Sequence, residues 1–131
     1  MSSARCRFLL VDDQPIICEI IAELLRTDSH TVDTAGNAGG ALEKIRRNEY
    51  DLIITDLAMP GMSGEQLANV IKQLNPSMPV ILLTGFEDLA EDTGIGNSSI
   101  DLVVTKPASL EELRRAIFTV LTHQSAELVS V

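Results

Sequence analysis

Positive charge is scarce in this chain. Its 131 residues carry 10 Lys and Arg against 19 Asp and Glu, a net charge of −9. Holding a nucleic-acid backbone requires positive surface that replaces condensed counterions, so the chain is a poor fit for direct nucleic-acid binding. Cysteine is scarce as well. Cys6 and Cys18 supply neither a disulfide framework nor the paired ligands of a zinc site, and a reducing, cytoplasmic home is the expectation. Long apolar runs are missing: nothing approaches the roughly 20 residues of a membrane span. The run after Arg5 and Arg7 stops at Asp12, too short for the apolar core of an export signal. Neither an internal repeat nor a low-complexity segment is present.

What is present suits one ordinary domain. Hydrophobic residues make up 45% and charged residues 22% of the chain, near globular averages, and the length suffices for a single core. Short strand-like runs at residues 8–11, 31–35, 52–55, 80–84 and 102–105 alternate with amphipathic stretches. Asp33 interrupts the second run, which suits an edge strand. Ser63 with Gln66, and Ser109 with Glu112, have the capping-box spacing. Behind the first, Leu67, Val70, Ile71 and Leu74 form a helical stripe, and behind the second Leu110, Leu113, Ile117 and Leu121 do. Residues 15–26 present Ile16, Ile17, Ile20, Ile21, Leu24 and Leu25 as a broad apolar face. Residues 37–48 form a weaker helix. Over residues 88–99, Gly94 and Gly96 each cost about 1 kcal/mol relative to alanine, so a short or frayed helix is expected. Strands alternating with helices imply right-handed crossovers and an α/β fold with a parallel sheet covered on both faces.

In such a sheet every strand points the same way, and polar residues closing the strands gather at one rim. Asp12 and Asp13 close the first strand, Asp56 the third, Thr84 the fourth and Lys106 the fifth. Three carboxylates held together need a cation, and oxygen ligands suit a hard divalent ion, most plausibly Mg2+. The Lys106 ammonium and Thr84 hydroxyl suit phosphoryl oxygens, and Asp56, in the middle, suits a covalent phosphoryl acceptor. Each residue alone has an ordinary explanation: Asp13 as a helix cap, Asp56 as a turn former, Thr84 as a strand end, Lys106 as a surface charge. Nothing in capping or turn chemistry asks for all five at matching strand ends. His30 and His123 are expected at an exposed loop and a helix end, Met59 and Met62 in the packing of the loop after Asp56, and Cys6 and Cys18 as small side chains without redox duty.

The motifs VDD at 11–13, TDLAMPGMSG at 55–64, LLTG at 82–85 and TKP at 105–107 resemble, in order and spacing, the receiver domain of two-component response regulators. The likeness spans residues about 7 to 123. It implies a flavodoxin-like doubly wound sheet of strand order 2-1-3-4-5 with five helices, the fourth short or irregular. It also implies a receiver domain over residues 1–123, with 124–131 as a C-terminal tail or the start of a linker. Asp56 would take a phosphoryl group from a histidine of a partner kinase or phosphotransfer protein. Asp12, Asp13, Asp56 and the carbonyl of Ala58 would hold Mg2+, while Thr84 and Lys106 would contact the phosphoryl group. The surface around the fourth strand and helix would then change for an unidentified effector or an attached output domain. Departures from the pattern are Val103, where receivers often carry an aromatic residue, and apolar Ala58 and Phe86 on the path of hydrolytic water.

Two other functions compete. A magnesium-dependent phosphatase of the haloacid-dehalogenase type would want an aspartate at position 58. A flavodoxin-like nucleotide or flavin binder would want a phosphate cradle after the first strand, where Asp12 and Asp13 instead repel phosphate.

Overall fold

The β-branched and aliphatic runs form strands, and the amphipathic stretches form helices, in a computed structural model that describes residues 6–85 and 99–129. In chain order these are β1 (Arg7–Val11), α1 (Pro15–Arg26), β2 (Thr31–Ala35), α2 (Ala38–Arg47), β3 (Leu52–Asp56), α3 (Gly64–Leu74), β4 (Val80–Thr84), β5 (Leu102–Thr105) and α4 (Leu110–Val129). The five strands form one parallel sheet in the order β2-β1-β3-β4-β5, the expected doubly wound arrangement with β2 at an edge. The described residues hold four helices rather than the expected five. The short helix expected over residues 88–99 lies outside the described residues, apart from Ser99 in a turn. The backbone of α4 is helical to Val129.

The central strands are hydrophobic on both sides because both sides are covered. Phe8, Leu10, Ile54, Ile81 and Leu83 pack with Ile21, Leu25, Leu113 and Ile117 of α1 and α4. Leu9, Val11, Ile53 and Val80 face the other way, against Leu67 and Ile71 of α3 and Ala41 of α2. Each fully buried aliphatic side chain contributes about 1.5–3 kcal/mol. Both capping boxes form: Ser63 N donates to Gln66 Oε1 at 2.9 Å and Gln66 N to Ser63 Oγ at 3.2 Å. The Ser109 and Glu112 pair repeats this at 2.9 and 3.1 Å. Helix α2 is capped by Asn37 Oδ1, which accepts from Gly40 N at 2.8 Å.

The helical stripes are narrower than expected. Helix α1 buries Cys18, Ile21, Ala22 and Leu25 but leaves Ile16 and Ile20 exposed, and α3 exposes Leu74 while burying Ala68. A helix on a sheet can bury only one side of its cylinder, and small residues close to the strands take positions that hydropathy alone would assign to larger ones. Asp33, the interruption in β2, is half-buried and accepts from Arg7 Nη2 at 2.9 Å and Tyr50 Oη at 2.7 Å. Burial, then the bond and charge of Asp33, push the Tyr50 hydroxyl up to about 12.

His30 is not the exposed loop residue that was expected. It is half-buried, with its ring centroid 4.5 Å from that of Phe8 and its Nδ1 buried without a hydrogen-bond partner. Burial lowers its pKa below the ordinary 6.5, against the opposing pull of Asp28. A depressed folded-state pKa means that the unfolded chain takes the proton first, so stability is intact above the unfolded value and is lost as pH falls below it. Urea-unfolding free energies are therefore expected to drop between about pH 7 and about pH 5, and to drop less in His30→Gln; equal slopes in both proteins would contradict the assignment.

Candidate functional site

The first strand does not end at Val11 in hydrogen-bonding terms. Asp12 N donates to Ala35 O at 3.1 Å, so the ladder carries Asp12 to the rim, where it is buried. Its Oδ1 accepts from Gln14 N at 3.0 Å, a local turn that aims Oδ2 elsewhere. The cap of α1 is Gln14, without a side-chain bond, so the capping explanation for Asp13 does not apply. Asp13 is half-exposed beside its neighbour.

Asp56 is the last residue of β3 and is also buried. Thr55 Oγ1 donates to its carbonyl at 3.0 Å. The next residue rejoins the sheet through Leu57 N to Leu83 O at 3.1 Å, and Gly64 N returns to Leu57 O at 2.9 Å. That return brings α3 against the acidic residue so closely that a Cβ on Gly64 would lie 2.1 Å from Asp56 O. Between them Pro60 and Gly61, the latter at φ +80, provide the turn, since proline presets the first central position and glycine tolerates the second. Met59 is buried and Met62 packs beside it, as expected.

Lys106 N donates to Thr84 O at 2.8 Å, extending the β4 and β5 ladder by one residue. Its ammonium then lies 3.1 Å from Asp12 Oδ2 and 3.0 Å from Asp56 Oδ1. Burial alone would lower the lysine pKa, but Asp56 and then Asp12 outweigh it and hold the ammonium charged above its ordinary range. For Asp56, burial raises the carboxyl pKa, Lys106 opposes the rise and Asp12 adds to it. Thr84 is fully buried at the end of β4, with Oγ1 3.4 Å from Gly85 O.

Carboxylate oxygens of Asp12, Asp13 and Asp56 lie within 4.8 Å of one another, the one such group of three potential ligands among the described residues. The donors are all hard oxygens, without thiolate or imidazole, which fits Mg2+ rather than a softer metal. Lys106 spanning two of the three expresses the same demand for positive charge. All five residues expected at the rim thus close strands at the same end of the sheet. Gly64 and the bridging role of Lys106 were not anticipated. The signal for Gly64 was a glycine just inside a capped helix, a position that backbone propensity gives no reason to fill with glycine.

The sequence matches the profile described as "Response regulator receiver domain" over residues 8–118. The chain belongs to this family. The receiver is 37% identical over 106 residues to the probable transcriptional regulatory protein TcrX of Mycobacterium tuberculosis, covering 80% of this chain and 45% of that protein. It therefore spans less than half the length of this curated relative. Among solved structures, a response regulator receiver domain protein from Clostridium thermocellum superposes with a TM-score of 0.84 at 30% identity, covering 92% of this chain and 97% of that one. TrrA from Thermotoga maritima, solved in complex with Mg(2+)-BeF, gives 0.79 at 34% identity, covering 88% and 98%. Receivers are phosphorylation-controlled signalling domains rather than turnover enzymes, and an acidic cluster that can take Mg2+ is part of this receiver's rim.

The tight seat of α3 gives a prediction of unusual sign. Gly64→Ala, which favours an isolated helix by about 1 kcal/mol, is expected to destabilise this receiver by about 1–3 kcal/mol through overpacking against Asp56. Denaturant titration checks it; a stabilised variant would show that the backbone yields there freely.

Proposed function

We propose that Asp56 is the phosphoryl acceptor, with a phosphohistidine of a partner histidine kinase or phosphotransfer protein as donor. An Asp56 carboxylate oxygen forms the new bond to phosphorus while the phosphorus–nitrogen bond breaks, and the departing imidazole nitrogen keeps the electron pair. Asp12, Asp13, Asp56 and the Ala58 carbonyl hold Mg2+, which supplies charge neutralisation for the phosphoryl oxygens. Lys106, already bound to Asp56, turns its ammonium to a phosphoryl oxygen once the carboxylate is phosphorylated. Thr84 binds another such oxygen, and its movement alters the end of β4 for an effector or an attached output domain. The setting in this reading is cytoplasmic. None of the described helices is long and apolar enough to cross a membrane.

The observation that supports this reading is the single ammonium shared by Asp12 and Asp56 at 3.1 and 3.0 Å, which joins side chains from the ends of three strands. Incubation with acetyl phosphate and Mg2+ is expected to add a single phosphoryl group, lost in Asp56→Asn and on metal omission. Continuous phosphate release from many substrates would instead favour the phosphatase, and an unmodified protein carrying a chromophore the flavin binder.

Ala58 is exposed beside the acceptor and has no group to orient a water; Phe86, its expected counterpart, lies outside the described residues. The acylphosphate is accordingly long-lived. Phosphate release from the modified protein is expected to be slower in wild type than in an Ala58→Asn, Phe86→Glu variant, and a faster wild type would remove the idea.

A further inference from the structure

Lys106 is delivered to the rim by β5, and its aim depends on how β5 is registered against β4. Burial specifies that register incompletely, because it does not oppose a slip of two residues. All four residues of β5 are half-buried; Leu102 and Val104 pack on the α1 and α4 side, with Val103 and Thr105 alternating to the other. A slip of one residue would turn Lys106 to the opposite face, and burial itself opposes it, since Asp101 would then take the apolar place of Leu102, or Thr105 that of Val104. A slip of two would carry it about 6.6 Å along the strand. Either ends the contacts with Asp12 and Asp56. No tight turn sets the register, because parallel strands are joined by a long crossover.

A polar clasp lies just before β5. Asp101 N donates to Val80 O at 2.9 Å, and Val80 N donates back to Asp101 Oδ2 at 2.8 Å. The same carboxylate oxygen accepts from Lys72 Nζ of α3 at 2.8 Å. The clasp therefore holds the first residue of β4, the residue before β5 and a helix on one face. From it the register runs Ile81 to Leu102 through Thr84 to Thr105 and ends with Lys106 N on Thr84 O at 2.8 Å. In this frame the acceptor that meets the Val80 amide is the Asp101 carboxylate.

We propose that Asp101 is a positioning residue for Lys106: by pairing with Val80 and Lys72 at the far end of the β4 and β5 ladder, it selects the register that aims the ammonium at Asp56. The inference rests on the reading of Lys106 as a phosphoryl contact. Asp101 touches none of the reacting groups and acts through the four residues of β5.

The test compares phosphoryl gain from acetyl phosphate and Mg2+ in the full chain and its variants. Asp101→Ala is expected to slow it roughly ten- to hundred-fold, the range that misplacement by about 1 Å or more produces. Asp101→Asn keeps an oxygen for Val80 N and restores most of the rate. Lys72→Met leaves the Val80 bond in place and slows the reaction less, and it also serves should Asp101→Ala not fold. The deciding readout is coupling: combined with Lys106→Ala, neither Asp101→Ala nor Lys72→Met adds a further loss, because the group they position is gone. Losses that multiply, or Asp101→Ala at the wild-type rate, overturn the proposal. Cross-strand NMR contacts of Ile81 with Leu102 and Thr84 with Thr105 report the register directly, whether or not the protein is phosphorylated. Their weakening in Asp101→Ala supports the proposal, and their persistence unchanged overturns it. A Lys106→Ala variant as fast as wild type would instead sink the reading of the site itself.

Discussion

One ammonium joins the ends of three strands in this receiver. Lys106 closes β5, Asp12 follows β1 and Asp56 closes β3, and the nitrogen sits 3.1 and 3.0 Å from the two carboxylates. The acids are buried, so without that charge their mutual repulsion would act in a medium that screens poorly. The arrangement leaves Asp13, half-exposed, as the third acid on the open side. Cation demand is thus partly met from within the chain, by a lysine set among carboxylate oxygens of the kind a hard divalent ion takes.

The rest of the architecture serves to bring those charges together and to keep them from moving. Hydrophobic strands covered on both faces supply the rigid frame, and the rim inherits its geometry from ladder bonds that continue one residue beyond the strands at Asp12, Leu57 and Lys106. Helix α3 is seated against the Asp56 carbonyl through Gly64, so a change in that backbone is transmitted directly to a helix N-terminus. At the opposite end of β4 and β5, Asp101 adds a polar constraint. Both edge strands carry a polar contact: in β2, Asp33 accepts from the side chains of Arg7 and Tyr50, and before β5, Asp101 accepts from the Val80 amide.

Periodicity read the element order well, because strands buried on both faces and helices buried on one leave different patterns in a chain. The capping boxes at Ser63 and Ser109 were equally legible, being local chemistry within four residues. Ile16 and Ile20 were not placed well: hydropathy marks which residues tolerate a core, while the shape of the sheet beneath settles which ones reach it. His30 was misjudged for a related reason. Its loop position pointed outward, but the ring of Phe8 lies against it, a contact between residues whose proximity depends on β1 running beside β2.

From the sequence alone followed the alternation of strands and helices, the candidates Asp12, Asp13, Asp56, Thr84 and Lys106, and the need for a cation among them. Each of these depends on residue identity and on the rule that parallel strands end at a common rim. Distances were beyond its reach. That one lysine would span two acids, that Gly64 would have no room for a methyl group, and that Asp101 would meet Val80 are consequences of side chains brought together from distant parts of the chain. Only the assembled sheet and the helices packed on it determine such meetings.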